Sequence, residues 1–380
     1  MFTSQKMSGQ ERFLNVMEYK PVDRVPNYEM GVWEQTVDRW EREGLNRFDL
    51  NWDFFTGEEY FKLDPKEFFD VRYGMFPAYE AEILEKTERY EIYCDSIGIV
   101  HKALIEGASR GMRSSMDQFL SFPVQTPDDF KKIKKRYDPS HRCRYPAEWR
   151  DIRLPGMKNR DHVLVLGQNC QVLGFYWRCR EWMGTENLSY AFYDQPELVH
   201  DMMEFIADFT MEVSRPAVQS CDFDYVFINE DMSMKTGPLI SPDLYREFVF
   251  PHMRRLVDFF KSQGVRYALV DTDGNPEALL PLLMDAGVDG IWPLERAADM
   301  DPIRIRKKFG KSLRLWGGVD KREIAKGSAA IDAHLAGLAG LVEEGGFIPT
   351  IDHTAPPDIS LADYEYYIKR KMDLLSGNWH

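Results

Sequence analysis

Short apolar runs alternate with longer amphipathic segments through the second half of the chain. From residue 161 onward, the apolar runs are about as long as typical strands, and segments that begin with helix-capping patterns follow them. Asp194-Gln-Pro-Glu197 and Ser241-Pro-Asp243 are two such helix starts. This alternation is typical of βα units, whose strands assemble into a parallel sheet.

The pattern predicts eight strands. They are residues 25–30, one strand within 68–100, and residues 162–167, 225–229, 267–271, 290–294, 313–317 and 347–352. Eight parallel strands close into a (β/α)8 TIM barrel, with the active site at the carboxyl ends of the strands. The alternative, a doubly wound open sheet, usually carries a Gly-rich phosphate loop, and neither G-x-G-x-x-G nor a Walker A sequence occurs here. We therefore expect an α/β protein with a single TIM barrel spanning residues 1–380.

Two segments depart from the regular alternation. Ser8-Gly-Gln-Glu11 is a capping box and predicts a helical extension before the barrel. Residues 67–160 predict an insert, in which residues 82–100 favour a β-hairpin or short sheet and the remainder is irregular. We expect this insert to cover the mouth of the barrel.

The charge balance excludes several classes of partner. Asp and Glu number 62 against 48 Lys and Arg, which gives a net charge of −14, so the long-range field should repel nucleic acid and anionic membranes. The five Cys are widely spaced without a Cys-x-x-Cys pair, which is typical of reduced thiols. The sequence has no secretory apolar region and no stretch long enough to span a bilayer. We expect a cytoplasmic protein.

Ionisable side chains follow several of the predicted strands. Asp271 and Asp273 are one residue apart at the end of an apolar run. Because a strand alternates its faces, these two carboxylates are expected to point the same way. Asp352 and His353 follow the last strand, and Glu230 follows residues 225–229. The sequence thus predicts one active site supplied by several strands.

Several acidic groups in one site need a compensating charge. A divalent metal, a cationic ligand group or protonation of some carboxylates would each provide it. His353 with carboxylates suits Zn²⁺, or it could act as a general acid or base near neutral pH. We predict Glu230, Asp273 and His353 as catalytic residues and Asp271, Asp273 and His353 as metal ligands. For Glu230 the structural alternative is helix capping or pairing with Lys235.

The predicted substrate-binding residues lie near the same strand ends. Trp292 and Trp316 are on neighbouring strands and would form a flat apolar wall if both pointed inward, although core packing is the common role of such residues. The predicted set is Glu29, Trp33, Asn229, Asn275, Trp292, Trp316 and Asp352.

A series of motifs resembles the uroporphyrinogen decarboxylase superfamily across nearly the whole chain. In order they are Glu11-Arg12, Asp23-Arg-Val-Pro26, Met183-Gly-Thr-Glu-Asn187, Asp194-Gln-Pro-Glu-Leu198, Asn229-Glu-Asp-Met232, Gly237-Pro-Leu-Ile-Ser-Pro242, Asp271-Thr-Asp-Gly-Asn275, Ala286-Gly-Val-Asp-Gly290, Gly317-Gly-Val-Asp-Lys321 and Ile351-Asp-His353 with Pro356-Pro-Asp358. The resemblance implies a (β/α)8 barrel. It also implies one of two activities: decarboxylation of the acetate arms of uroporphyrinogen, or methyl transfer between a substrate and a corrinoid, often with zinc.

This sequence departs from both enzyme types at the expected positions. True decarboxylases hold the porphyrin carboxylates with an Arg-rich segment, whereas residues 27–34 contain no Arg and present Glu29 and Glu34. Zinc methyltransferases of the family carry His-x-Cys at the fifth strand and Cys after the last. Asp271-Thr-Asp273 and Asp352-His353 stand at those places. Oxygen and nitrogen ligands suit a harder site, one that polarises an ether or alcohol oxygen, or one that binds an ammonium without metal.

The first functional hypothesis is therefore a corrinoid-dependent methyltransferase. It would demethylate a small methylated substrate, such as a methyl ether or methylamine, with possible help from Zn²⁺. The corrinoid would be carried by a separate protein, because 380 residues leave no room for a corrinoid domain beside the barrel. The resemblance also makes a homodimer plausible.

Two alternatives stay open. One is a decarboxylase or lyase that acts on a small acid or tetrapyrrole, with Asp273 or His353 as proton donor and Lys235, Lys321 or Arg322 holding the carboxylate. The other is a non-catalytic barrel that binds a corrinoid or a partner protein.

Overall fold

A computed structural model gives the fold and describes residues 2–106 and 116–379; the side chains of residues 168–171 are not described. The strands are β1 (Lys66–Phe69), β2 (Glu82–Lys86), β3 (Tyr90–Cys94), β4 (Val100–Leu104), β5 (Gln118–Ser121), β6 (Val163–Leu173), β7 (Tyr225–Asn229), β8 (Ser233–Met234), β9 (Gly237–Pro238), β10 (Tyr267–Asp271), β11 (Gly290–Trp292), β12 (Arg314–Trp316) and β13 (Phe347–Ile348).

Helices follow most strands of the second half of the chain. The α-helices are α1 (Gly9–Met17), α2 (Glu34–Arg42), α3 (Pro127–Lys134), α4 (Trp149–Ile152), α5 (Leu154–Lys158), α6 (Phe175–Met183), α7 (Thr185–Asp194), α8 (Pro196–Val218), α9 (Pro242–Leu244), α10 (Phe250–Ser262), α11 (Leu280–Asp285), α12 (Pro302–Phe309), α13 (Lys321–Ile324), α14 (Ser328–Glu344) and α15 (Leu361–Leu375). Short 3-10 turns lie at Arg47–Asp49, Arg142–Arg144, Glu277–Leu279, Arg296–Ala298 and Gly310–Ser312, and a π-helical turn lies at Tyr245–Val249.

A parallel sheet of seven strands forms the centre of the described chain. Its order is β1-β6-β7-β10-β11-β12-β13, and every neighbouring pair is parallel. The strands are buried because helices and loops cover the sheet; all five residues of β10, for example, are buried. The strand order and the intervening helices give a TIM-barrel-like α/β fold, as the sequence pattern predicts.

The predicted first strand, residues 25–30, is absent from this sheet. The backbone N–H of Asn27 donates instead to the carboxylate of Asp64 at 2.6 Å, so a side chain takes a donor that a neighbouring strand would need. Val32 forms an isolated parallel bridge with Ala355. The described chain thus supplies seven of the eight expected strands. The place of the strand expected within 68–100 is taken by β1, of which only Phe68 and Phe69 fall within that range.

The predicted insert contains an antiparallel sheet. Its order is β2-β3-β4-β5, and β2 and β3 correspond to the expected hairpin. Residues Ser96 and Ile97, from the turn that follows β3, line a cavity together with Gly174 and Asn229, which lie at the carboxyl ends of β6 and β7. The small sheet therefore lies beside the carboxyl edge of the parallel sheet. Within the described residues, no helix is both long and apolar enough to cross a membrane.

Candidate active site

Three side chains from separate strand ends meet at the carboxyl edge of the sheet. Asp273 follows β10, Glu295 follows β11, and His353 lies beyond β13. Each side chain offers one atom that could bind a metal ion, and these three atoms lie within 4.8 Å of one another. Among the described residues, these three form the group that could hold a metal. The Nε2 atom of His353 is 3.4 Å from Oδ2 of Asp273. All three side chains remain partly exposed, so a ligand can reach them.

A tight turn after β10 places this group. Gly274 has φ of +75°, and a Cβ atom there would lie 2.7 Å from the carbonyl oxygen of Met234, so only glycine fits without strain. The backbone N–H of Gly274 donates to Oε2 of Glu295 at 2.8 Å. The other oxygen of Glu295 lies 3.8 Å from Nζ of Lys321. The loops after β10, β11 and β12 thereby fix the position of Glu295.

Negative charge is concentrated around these residues. Burial lowers the pKa of His353, but the hydrogen bond and charge of Asp273 outweigh this effect and the net pKa is raised above its usual value. The pKa of Asp231 is raised by burial and then by the nearby charge of Asp273. Arg180 on α6 partly compensates this charge, because its NH2 group lies 3.2 Å from Oδ2 of Asp231. The arrangement favours a bound cation near Asp273.

The donor set of this group fits a divalent metal. Two carboxylates and one imidazole are ligands that Zn²⁺ accepts, and catalytic zinc sites commonly use three protein ligands with one position open. The predicted ligands Asp273 and His353 belong to the group, whereas Asp271 does not. The strand ends at Asp271, which is buried, so the two-residue alternation does not continue to Asp273. Glu295 takes the third place.

Glu230, predicted as catalytic, caps a helix. Its two carboxylate oxygens accept hydrogen bonds from the backbone N–H groups of Phe175 and Tyr176 at 3.0 and 2.8 Å, at the start of α6. The side chain is fully buried. Burial raises its pKa to about 7, although the backbone hydrogen bonds oppose that shift. The structural alternative, helix capping, therefore describes Glu230 in this fold.

Two other predicted residues, Glu29 and Asp352, are buried in structural hydrogen bonds. Glu29 pairs with Lys371 at 2.6 Å, with both side chains fully inaccessible. Asp352 accepts hydrogen bonds from the backbone N–H groups of Arg296 and Lys321 at 2.9 and 3.1 Å. Burial raises the pKa of Asp352. Both carboxylates hold loops in place, and neither reaches the group around Asp273.

Trp292 and Trp316, predicted to form an apolar wall, are buried core residues. Their ring centroids lie 5.3 and 5.6 Å from the ring centroid of Phe227. The space they border has a volume of about 10 Å³, with Glu29 and Lys66 also on its wall. A space of that size holds at most a water molecule. These rings therefore form core packing, which is the alternative that the sequence left open.

The remaining predicted residues lie outside the three-residue group. Asn275 donates from Nδ2 to the carbonyl oxygen of Ala298 and accepts at Oδ1 from the N–H of Glu277, so it shapes the loop after β10. Trp33 occupies the N-cap position of α2. Asn229 lines a larger cavity at the carboxyl ends of β6 and β7.

This cavity has a volume of about 530 Å³, which is in the range of small-molecule sites. It lies between the parallel sheet and the insert, one strand away from Asp273, because Asn229 pairs with Asp271 across β7 and β10. Arg178 and Trp177 on α6 form part of its wall. Arg178 is not among the residues predicted from the sequence, although its position on the helix that directly follows β6 was an available signal.

Two of three comparisons with known proteins find similar proteins, and both agree with this fold. The third, with curated proteins, gives no match. Among solved structures, a methyltransferase from Methanosarcina mazei is similar with a TM-score of 0.55 and 15% sequence identity, over 96% of this chain and 98% of that chain. The family model described as uroporphyrinogen decarboxylase (URO-D) matches residues 119–370, which confirms the resemblance seen in the sequence motifs. The chain belongs to the uroporphyrinogen decarboxylase family.

Proposed function

We propose that this protein is a methyltransferase that moves a methyl group between a small methylated substrate and a corrinoid carried by a separate protein. The observation that carries this proposal is the group of Asp273, Glu295 and His353 at the carboxyl edge of the sheet. Active sites of TIM-barrel enzymes lie at that edge. Family membership leaves decarboxylation and methyl transfer open, and a similar structure that bears the name methyltransferase favours methyl transfer. A methyl ether or a methylamine is the expected donor.

The same three residues would hold the metal that this chemistry uses. Zinc bound there would act as a Lewis acid on the heteroatom that releases the methyl group. The chain itself supplies the ligand atoms, and the N–H of Gly274 orients the carboxylate of Glu295. Lys321, whose Nζ is 3.8 Å from Glu295, offsets part of the negative charge and offers a cation to an anionic product.

The proposed architecture is a closed (β/α)8 barrel with residues 25–32 in the eighth position. Asp64, just before β1, donates its N–H to the carbonyl oxygen of Asn27 at 2.8 Å. On the other side, Val32 forms a bridge with Ala355, which follows β13. Hydrogen bonds beside both edge strands of the sheet support closure by this irregular segment.

Metal analysis is the first test of the proposal. Protein purified without oxygen or chelator should contain about one zinc per chain by mass spectrometry. Asp273→Ala, Glu295→Ala and His353→Ala should each lose it, whereas Asp258→Ala, which removes an exposed carboxylate on α10, should retain it. Absence of metal from the wild type, or retention in all three variants, would refute the metal site.

A methyl-transfer assay tests the reaction itself. The protein is mixed with cob(I)alamin and a panel of methyl ethers and methylamines, and the visible spectrum reports methylation of the corrinoid. We expect transfer from at least one donor, and its loss in Asp273→Ala. No transfer from any donor would contradict the proposal.

Decarboxylation of a small acid is the second candidate. It is favoured by Lys321 and Arg178, which supply cationic groups near the strand ends, with Asp273 or His353 as proton donor. Release of CO2 from a small acid, independent of any corrinoid, would identify this reaction in place of methyl transfer.

A further inference from the structure

The charged group on the described wall of the cavity at the ends of β6 and β7 is positive. Of the described residues that line it, Arg178 is charged and none is Asp or Glu, in a chain whose net charge is −14. The neighbouring cavity, of about 450 Å³, is different, because its wall includes Asp95, Glu181 and Glu186 as well as Arg180. The larger cavity is therefore suited to an anion.

Arg178 contacts Glu181 and Tyr137 and keeps part of its side chain accessible. Its NH1 group lies 2.7 Å from Oε2 of Glu181, one turn further along α6, with both side chains largely buried. The Nε atom of Arg178 and the hydroxyl of Tyr137 are buried within the protein, and the two side chains interact with each other. The accessible 13% of the Arg178 side chain is the part that a ligand in the cavity can reach.

The rest of the wall is suited to a flat apolar body. Tyr73, Tyr137 and Trp177 contribute aromatic rings, and Val172 and Leu173 contribute aliphatic side chains. The hydroxyl of Tyr73 is hydrogen-bonded to Ser214 in the protein interior, so this residue offers its ring rather than its oxygen. Aromatic walls favour planar ligands through offset or edge contacts.

We propose that this cavity binds a small aromatic carboxylate, with Arg178 as the group that recognises the carboxylate. The guanidinium donates in a planar fork that matches a carboxylate. A quaternary ammonium is disfavoured because the described part of the wall has no acidic side chain, and inorganic phosphate would leave the aromatic rings unused. Resting on the proposed function, the substrate is then a methylated aromatic acid, such as a methoxybenzoate, bound at the end of the strand that neighbours β10, which Asp273 follows.

Calorimetric titration tests the binding site with three probes. These are 4-methoxybenzoate, its uncharged analogue methoxybenzene, and inorganic phosphate. We expect 4-methoxybenzoate to bind the wild type at least about tenfold more tightly than methoxybenzene or phosphate, since charge-assisted hydrogen bonds and ring contacts both contribute. Equal binding of methoxybenzene, or tighter binding of phosphate, would overturn the proposal.

Paired variants on α6 separate recognition from folding. Arg178→Gln should weaken 4-methoxybenzoate binding at least about tenfold. Glu181→Gln removes the competing carboxylate and keeps Arg178, so it should bind the probe as tightly as the wild type or more tightly. If Arg178→Gln does not fold, the Glu181→Gln variant and the methoxybenzene comparison still decide the question. Weaker binding by Glu181→Gln would contradict the assignment.

Binding by Asp273→Ala distinguishes this inference from the proposed function. That variant should bind 4-methoxybenzoate normally, because Asp273 does not line the cavity, yet it should not transfer the methyl group. Binding that depends on Arg178 without methyl transfer in the wild type would refute the proposed reaction and leave the carboxylate site intact. Methyl transfer from uncharged donors, without binding of the acid, would support the reaction and refute the site.

Discussion

The buried ion pair between Glu29 and Lys371 should dominate the stability of the region where the two ends of the chain meet. Nζ of Lys371 lies 2.6 Å from Oε1 of Glu29 and also donates to the carbonyl oxygen of Tyr28 at 2.7 Å. The same carboxylate accepts hydrogen bonds from the hydroxyl of Tyr367 at 2.6 Å and the backbone N–H of Ile351 at 3.0 Å. Both charged side chains are fully buried. One carboxylate thus connects the N-terminal segment, the last strand region and α15.

Removing one partner leaves the other charge buried and uncompensated. Lys371→Met should lower the free energy of unfolding by about 3–5 kcal/mol, and Glu29→Gln by a similar amount. The double variant leaves no buried charge, and the glutamine that replaces Glu29 still offers an acceptor to Tyr367. Its cost should fall to about 2 kcal/mol, which represents the remaining unmatched hydrogen bonds. The two single effects are therefore far from additive.

Urea unfolding at pH 7, followed by circular dichroism, measures these differences. Lys369→Met is the matched control, because Lys369 is exposed on the same helix and its replacement should change stability by less than about 0.5 kcal/mol. A cost below about 1 kcal/mol for Lys371→Met would refute the argument from burial. So would a double variant whose cost equals the sum of the two single costs.

Three further predictions concern residues near the site. Burial raises the pKa of Glu230 from 4.5 to about 7. Its protonated form therefore adds roughly 3 kcal/mol to the free energy of unfolding, which is complete below pH 4.5 and lost as the pH rises to about 7. In Glu230→Gln the free energy of unfolding in urea should vary less with pH over this range, and an unchanged pH dependence would refute the shift. Gly174→Ala would place a Cβ 1.7 Å from the carbonyl oxygen of Asn229 and should cost more than about 4 kcal/mol, whereas Gly337→Ala, with open space on a helix, should slightly raise the melting temperature. Asp352→Ala removes the acceptor of two backbone N–H groups and should cost about 3 kcal/mol by urea unfolding; a change within error would show that water replaces the carboxylate.

The parallel strands were predictable because their burial leaves a direct trace in the sequence. A strand covered on both faces is apolar throughout, and β7 and β10 match the predicted runs at 225–229 and 267–271. Residues 25–30, which were also predicted as a strand, form none, and their sequence is interrupted by Pro26, Asn27 and Glu29. Pro26 has no N–H group, and the N–H of Asn27 donates to Asp64, a carboxylate 37 residues away. The sequence around residue 27 gives no sign of that partner.

Helix N-termini explain why the candidate site was only partly predictable. The first N–H groups of a helix lack partners within the helix and attract nearby carboxylates. Glu230 accepts from the first residues of α6, and Asp352 accepts from the first residue of α13. Both carboxylates are thereby buried at strand ends, where the sequence pattern alone made them resemble Asp273.

The polar residues that do not accept hydrogen bonds from helix N-termini are the ones that remain available to a ligand. Asp273, Glu295 and His353 stay partly exposed and lie together. The positive φ of Gly274 turns the chain immediately after Asp273, and it brings an N–H group to Glu295 rather than to Asp273. Position at a strand end therefore identifies a set of polar residues that could form the site. The nearby helix starts and glycine turns decide which of these residues accept backbone N–H groups and which stay available to bind a metal.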